Sequence, residues 1–273
     1  DKPGQGLSEG DFNINQPVES SAREVLDAIA YLRATETPGA HRIGLWGISR
    51  AGWIAPLAMA EDPGIEFWIS VSGTTAEDNF FYLLMSNLVH EGYEVSHVER
   101  LRSQWIEGYQ IFRSGGSQAD FNAATIDLRE NPYIQSMGGD WWNQIDYVSA
   151  QAELIAAGDR PPFAEEAGQF IFVQDFDALL SGLDIEVLAL FGDKDLNIDW
   201  RAVRQLYCRT IGQNADASLT VHVFGDSDHN LNQTQTGSIR EMSTTRGERV
   251  DGYYDVQVRW LRDVVLGHQV EAD

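Results

Sequence analysis

Short runs rich in apolar residues alternate along this chain with longer stretches in which apolar residues recur every three or four positions. The first pattern predicts strands of a parallel sheet covered on both faces, and the second predicts helices that lay one apolar stripe on such a sheet. Ala22, Val25, Leu26, Ile29 and Leu32 make a helical stripe between Val18 and Ala34, with Ser20 or Ser21 as its cap. The apolar runs are Ile43–Trp46, Ile65–Val71, Ile185–Phe191 and Ser218–Phe224. A helical pattern, Ile54 to Met59, follows the first of them. Between Thr74 and Leu183 the pattern is helical, without a convincing parallel strand. It predicts helices over Asp78–Glu91, Val95–Arg113, Gln118–Arg129 and Trp141–Ala157, and a last one near Gln174–Ser181. Gly115-Gly116, Gly138-Gly139 and Pro161-Pro162 punctuate them. A final helix, Tyr253 to Val265, carries Val256, Val258, Trp260, Leu261 and Val264 and is expected to pack back on the sheet. There is no internal repeat and no low-complexity tract.

Three of the strands run straight into residues that carry chemistry. Ile43–Trp46 leads into Gly47-Ile48-Ser49-Arg50-Ala51-Gly52, which reads as strand, sharp turn and helix with Ser49 at the apex. Strand and helix nearly collide at such a turn, so small residues must flank the serine. Gly47 and Ala51 meet that need, and Gly52 is expected to add slack. The helix that starts after Ser49 aims N–H groups and the positive end of its dipole at the turn, which suits a developing oxyanion. The Arg50 N–H is the expected donor. Ile185–Phe191 leads into Gly192-Asp193-Lys194-Asp195-Leu196-Asn197, and Ser218–Phe224 leads into Gly225-Asp226-Ser227-Asp228-His229-Asn230. A serine, an acid and a histidine therefore each follow the C-terminal end of a strand, where open parallel sheets build their sites. By chemistry alone, Asp193, Asp195, Asp199, Asp226 and Asp228 are all candidates to orient His229.

These segments resemble the α/β-hydrolase superfamily, in particular the esterase-like branch related to dienelactone hydrolases and serine aminopeptidases. Ile43 to Leu57 resembles that branch's nucleophile segment, Leu190-Phe191-Gly192-Asp193-Lys194-Asp195 its acid loop, and Asp228-His229-Asn230-Leu231 its histidine loop. The resemblance covers most of the chain except roughly residues 76–180. It implies a catalytic triad of Ser49, Asp195 and His229. It also implies a parallel-sheet core, residues 1–75 and 182–273, with a helical cap over Ser49 formed by residues 76–181.

Asp1-Lys2-Pro3-Gly4-Gln5-Gly6-Leu7-Ser8-Glu9-Gly10 resembles the glycine-rich turn after the family's fourth strand. On that alignment the first four strands are absent, and with them the loop that supplies the second oxyanion donor. Ile43–Trp46 is then expected to be an exposed apolar edge, open to pairing with other chains. Three arrangements answer this pattern. The N-terminal half is a separate piece, a partner chain or second copy covers the edge, or the chain builds its oxyanion hole from other groups.

Composition narrows the partners. The formal net charge is −23, and Lys2 and Lys194 are the only lysines. Such a surface repels nucleic acid and anionic membrane, so neither is an expected partner. Solubility or an acid-biased host accounts for the charge, and so does adaptation to high salt, which screens self-repulsion. No run of about 18 apolar residues is present, as a membrane span requires, and no leader pattern opens the chain. The expectation is a cytoplasmic protein. Cys208 is the only cysteine, so no intramolecular disulfide forms. No His/Cys cluster has metal-ligand spacing and no glycine loop cradles phosphate, so neither metal nor cofactor is expected.

The reading that results is cofactor-free hydrolysis of a small-molecule carboxylic ester through an acyl-serine. A serine peptidase or amidase is the alternative within the same chemistry. A catalytically silent binding module, or one half of a two-chain hydrolase, is the alternative outside it. Phe80, Phe81, Tyr82, Trp105, Tyr109, Trp141 and Trp142 serve either as cap core or as lining of an acyl pocket. The Arg50 side chain is expected on a cap carboxylate or a substrate carboxylate.

Overall fold

In a computed structural model the described residues are 2–11, 13, 16–138, 146–158, 161–244 and 247–267. Four strands, β1 (Ile43–Ile48), β2 (Ile65–Val71), β5 (Glu186–Gly192) and β6 (Ser218–Phe224), form one parallel sheet in the order β1-β2-β5-β6. The register sets Ile48 beside Val71, Val71 beside Leu190, and Gly192 beside Phe224. The three loops that leave β1, β5 and β6 therefore emerge along one edge of the sheet.

Successive side chains on a strand point to opposite faces, and the two cores divide accordingly. Trp68, Val187, Ala189 and Phe191 face helices α1 (Val18–Ala34), α2 (Ala51–Glu61), α9 (Phe176–Ser181) and α10 (Trp200–Arg209). Ile69, Val71, Leu188 and Leu190 face Tyr253 and Trp260 of helix α12 (Tyr253–Trp260). The central strands β2 and β5 are apolar on both faces because both faces are covered. The last helix does not run regularly to Val265. It widens into a π-turn at Leu261–Leu266, and the Val265 carbonyl accepts from Arg42 Nη2 at 3.3 Å. Among the described residues β1 has one neighbour, β2, and Trp46 on it is 54% exposed.

Residues between β2 and β5 form α3 (Phe80–His90), α4 (Val95–Arg113), α5 (Gln118–Ala124), α6 (Ile126–Glu130), α7 (Pro132–Gly138) and α8 (Tyr147–Ala157). A two-residue antiparallel pair follows, β3 (Phe163–Ala164) with β4 (Gln169–Phe170). Leu84, Leu88, Val98, Leu101, Leu128, Tyr133 and Ile134 give this region its own core. The single helix expected over Gln118–Arg129 is broken at Thr125. The Thr125 hydroxyl donates to Phe121 O at 2.7 Å, and its methyl lies where a Cβ on Gly108 of α4 would be, 2.3 Å away. Close contact with α4 interrupts the helix there. Helix α3 begins two residues later than expected because the Asp78 carboxylate accepts from the N–H groups of Phe80 and Phe170. Asp175, with a φ of 51°, likewise delays α9 to Phe176. Of the helix expected over Trp141–Ala157, residues 141–145 lie outside the described residues, and the remainder starts at Tyr147 with Asp146 as its cap.

Candidate active site

Ser49 sits between β1 and α2 with a φ of 54°, a left-handed conformation that costs a non-glycine residue of the order of 1–3 kcal/mol. Two bonds hold it there: Ser49 N donates to Val71 O at 2.9 Å, and Gly52 N donates to Ser49 O at 2.7 Å. A Cβ on Gly47 would lie 2.3 Å from the Ala51 Cβ, so glycine there is obligatory while alanine at 51 is accommodated. Gly52 does not supply slack. A Cβ there would lie 2.7 Å from Thr74 N and 2.8 Å from Thr74 Oγ1, so its bare backbone lets α2 pack on the segment leaving β2.

The loops after β5 and β6 are bound to each other. Asp193 N donates to Phe224 O at 3.0 Å and Lys194 N to Ser227 O at 3.1 Å. Gly192 allows this approach, since a Cβ would lie 2.4 Å from Asp228 O. The result brings Asp195 to His229, with Oδ2 2.8 Å from Nδ1. Both are buried. Asp195 Oδ1 accepts from Asn197 N at 2.8 Å and Ile198 N at 3.0 Å, so both carboxylate oxygens are engaged. A carboxylate on Nδ1 selects the tautomer with the proton on Nδ1 and leaves Nε2 as the acceptor.

The other four aspartates are occupied elsewhere. Asp193 Oδ1 accepts from Ser227 N, and its carbonyl accepts from Trp200 Nε1. Asp199 caps α10 by accepting from Arg201 N and Ala202 N. Asp226 pairs with Lys194 at 2.7 Å. Asp228 Oδ1 closes its own loop by accepting from Asn230 N and Asn232 N, and burial pushes its carboxyl above the ordinary range.

The end of β2 ties the serine to the histidine. Val71 O receives Ser49 N, and the next residue, Ser72, donates its hydroxyl to His229 O at 2.7 Å. Ser72 is fully buried and has a φ of 44°. Sequence reading missed Ser72; its only signal was its place directly after a strand of the sheet.

The Arg50 N–H belongs to the residue that starts α2. Arg50 Nη2 donates to the carbonyl of Gln16, and burial pulls its pKa down. Among the expected aromatics, Phe81 and Tyr109 are buried; Tyr109 packs on Phe163 and Phe170. Trp105 packs on Phe80 and donates to Gly168 O. Burial pushes the Tyr82 hydroxyl up to about 12, and the charges of Asp199 and Asp195 add to the shift. Trp141 and Trp142 lie outside the described residues. Among the described residues, no group of three or more His, Cys, Asp or Glu is arranged to hold a metal ion, and no helix is long and apolar enough to cross a membrane.

No family model and no curated protein matches this sequence. Among solved structures the chain is similar to a lipase-esterase related protein from Clostridium acetobutylicum, at 15% identity and a TM-score of 0.42 over 95% of this chain and 79% of that one. It is also similar to a putative alpha/beta hydrolase from Agrobacterium tumefaciens, at 13% identity and a TM-score of 0.43 over 97% of this chain and 68% of that one. A Pyrococcus furiosus esterase is similar at 12% identity and a TM-score of 0.45, over 95% and 67% of the two chains.

Proposed function

We propose that this chain, whose parallel sheet flanked by helices is of the α/β-hydrolase kind, is a serine hydrolase that cleaves carboxylic esters. The observation that carries the proposal is the buried contact of 2.8 Å between Asp195 Oδ2 and His229 Nδ1. It lies in loops anchored to the same strand end as the strained turn at Ser49. In this reading Ser49 Oγ attacks the ester carbonyl while His229 Nε2 takes its proton. Asp195 holds the ring through Nδ1 and stabilises the imidazolium. The Arg50 N–H, at the start of α2, stabilises the tetrahedral oxyanion. The bond to the leaving alcohol breaks as His229 returns the proton to it. Water then attacks the acyl-serine with His229 as base, releasing the acid and restoring Ser49. The reading uses neither metal nor cofactor.

One backbone donor is assigned to the oxyanion, and loss of one donor costs about 10²–10³ in rate. Activated esters tolerate such a deficit better than amides, which is why esters are preferred over peptides. We read residues 76–181 as the lid of the site, supported by the hydrogen bonds from Ser86 and Asn87 of α3 to Leu196 of the acid loop. The open edge of β1, with Trp46 exposed on it, favours an added strand from a further segment or a second copy.

Hydrolysis of p-nitrophenyl acetate by the purified chain, beside Ser49→Ala, tests the reading. Turnover that disappears in the variant while the melting temperature holds is the expected result. Equal turnover in both proteins, or none in a folded wild-type sample, overturns it.

A further inference from the structure

Asn87, on the inner face of α3, is fully buried. A side-chain amide has two N–H donors and room for two acceptor bonds, and here all four are used. Nδ2 donates to Leu83 O at 2.8 Å and to Leu196 O at 3.2 Å. Oδ1 accepts from Ile239 N at 2.9 Å and from Tyr133 Oη at 3.4 Å. Only Leu83 belongs to the same helix. The other three partners lie in the acid loop, at the start of helix α11 (Ile239–Thr244) and in α7. The preceding residue, Ser86, has Leu196 O at 2.5 Å, nearer than the carbonyls of Tyr82 and Leu83 in its own helix.

Both side chains thus converge on the carbonyl of the residue that follows Asp195. The next two residues, Asn197 and Ile198, turn their N–H groups inward to Asp195 Oδ1. The Leu196 carbonyl and the Asn197 N–H belong to one peptide plane, so holding the carbonyl from outside sets where that donor points, and through it where the carboxylate meets His229. A buried amide at the junction of three segments is costly unless every bond is made, so it specifies one arrangement where an apolar residue would tolerate several.

We infer that Ser86 and Asn87 are positioning residues for the triad acid, acting through the Leu196 carbonyl rather than by touching substrate. The inference rests on the triad proposed above. It predicts that the helical region does more than cover the site: seating α3 on the acid loop sets the geometry of the Asp195–His229 pair.

The experiment compares Ser86→Ala, Ser86→Thr, Asn87→Asp and Tyr133→Phe with the wild type. Two readouts are taken: kcat and KM on p-nitrophenyl acetate, and the downfield proton NMR signal of a His229 Nδ1–H bonded to Asp195. Ser86→Ala keeps the fold and loses one of the two bonds to Leu196. Its kcat is expected to fall on the order of 10-fold with KM held, as small misplacements of a catalytic group do, and its downfield signal to weaken. Ser86→Thr restores both, because it returns the hydroxyl. Asn87→Asp loses the Nδ2 donor and falls further. Tyr133→Phe removes a partner of Asn87 away from the acid loop, and is expected to lower the melting temperature while kcat and the signal hold.

Wild-type kcat and an unchanged downfield signal in Ser86→Ala overturn the inference, whatever happens to stability. So does a loss in Ser86→Ala that Ser86→Thr does not restore. If the wild-type protein shows no turnover, the hydrolase reading fails, and the downfield signal across the same variants still decides the positioning role.

Discussion

The Ser72 hydroxyl donates to the main-chain carbonyl of His229 across 2.7 Å, with both residues buried. This bond joins the end of β2 to the loop after β6, although β5 lies between them in the sheet. It holds the backbone of the histidine while Asp195 holds its ring. Ser72→Ala leaves a buried carbonyl without its donor, which costs about 1–3 kcal/mol. The expected outcome is a lower melting temperature and a kcat reduced on the order of 10-fold or more by displacement of the ring. Ser72→Gly relieves the φ of 44° but also lacks the hydroxyl, so it is expected to recover stability and not rate. Thermal melts and ester hydrolysis on the two variants check this, and full activity in both removes the role.

Asp193 and Asp195 are separated by one residue and share the same local chemistry, yet only Asp195 reaches His229. Asp195→Asn reverses the preferred tautomer and is expected to lower kcat by up to about 10⁴-fold. Asp193→Asn is expected to leave kcat within a few-fold of wild type, because its carboxylate accepts from Ser227 N while His229 Nδ1 is taken by Asp195. A comparable loss in the Asp193 variant would assign the acid wrongly here.

Gly52 is where α2 packs against the segment after β2, and a Cβ there meets the Thr74 backbone N, the Thr74 Oγ1 and the Gly73 Cα together. Gly52→Ala is therefore expected to be destabilising by about 1–3 kcal/mol, in the range of overpacked sites. It is also expected to reduce turnover, because Gly52 N donates to Ser49 O and a shift of Gly52 is felt at the serine. Chemical denaturation beside kcat measures both. An alanine variant as stable as the wild type would mean that the helix gives way without strain.

Burial alone pushes the Glu241 carboxyl up, but hydrogen bonds from the Thr236 hydroxyl, Gln235 N, Thr236 N and the Thr234 side chain outweigh it and hold the group at about 2, against an ordinary 4.5. A depressed carboxyl contributes stability above its unfolded value and loses it as pH falls through the folded one. The advantage of wild type over Glu241→Gln is therefore expected in full above pH 4.5 and to shrink towards pH 2. Melting curves of both proteins across that window give the answer, and a difference constant with pH contradicts the prediction.

With 42 acidic against 19 basic residues, repulsion among carboxylates opposes folding at low ionic strength. Screening shortens from about 30 Å at 0.01 M salt to about 3 Å at 1 M. The melting temperature is expected to rise through that range in sodium chloride. A flat or falling curve would show that the acidic surface carries no net strain.

The sequence by itself determined the strands of the sheet and the helix over Val18–Ala34, because a strand covered on both faces must be rich in apolar residues and a helix covered on one must repeat. It also determined that Ser49, Asp195 and His229 each follow the end of a strand, since those placements are local. What it did not carry were features made by residues far apart in the chain. Five aspartates in two loops look alike until the loops are bound together, and the tertiary structure brought Asp195 to His229. The bonds from Ser72 to His229 and from Asn87 to Leu196 span 157 and 109 positions, beyond any periodicity. The two-residue strands β3 and β4 are too short for alternation to register. The break at Thr125 came from close contact with Gly108 of α4, because packing between elements overrides propensity within them.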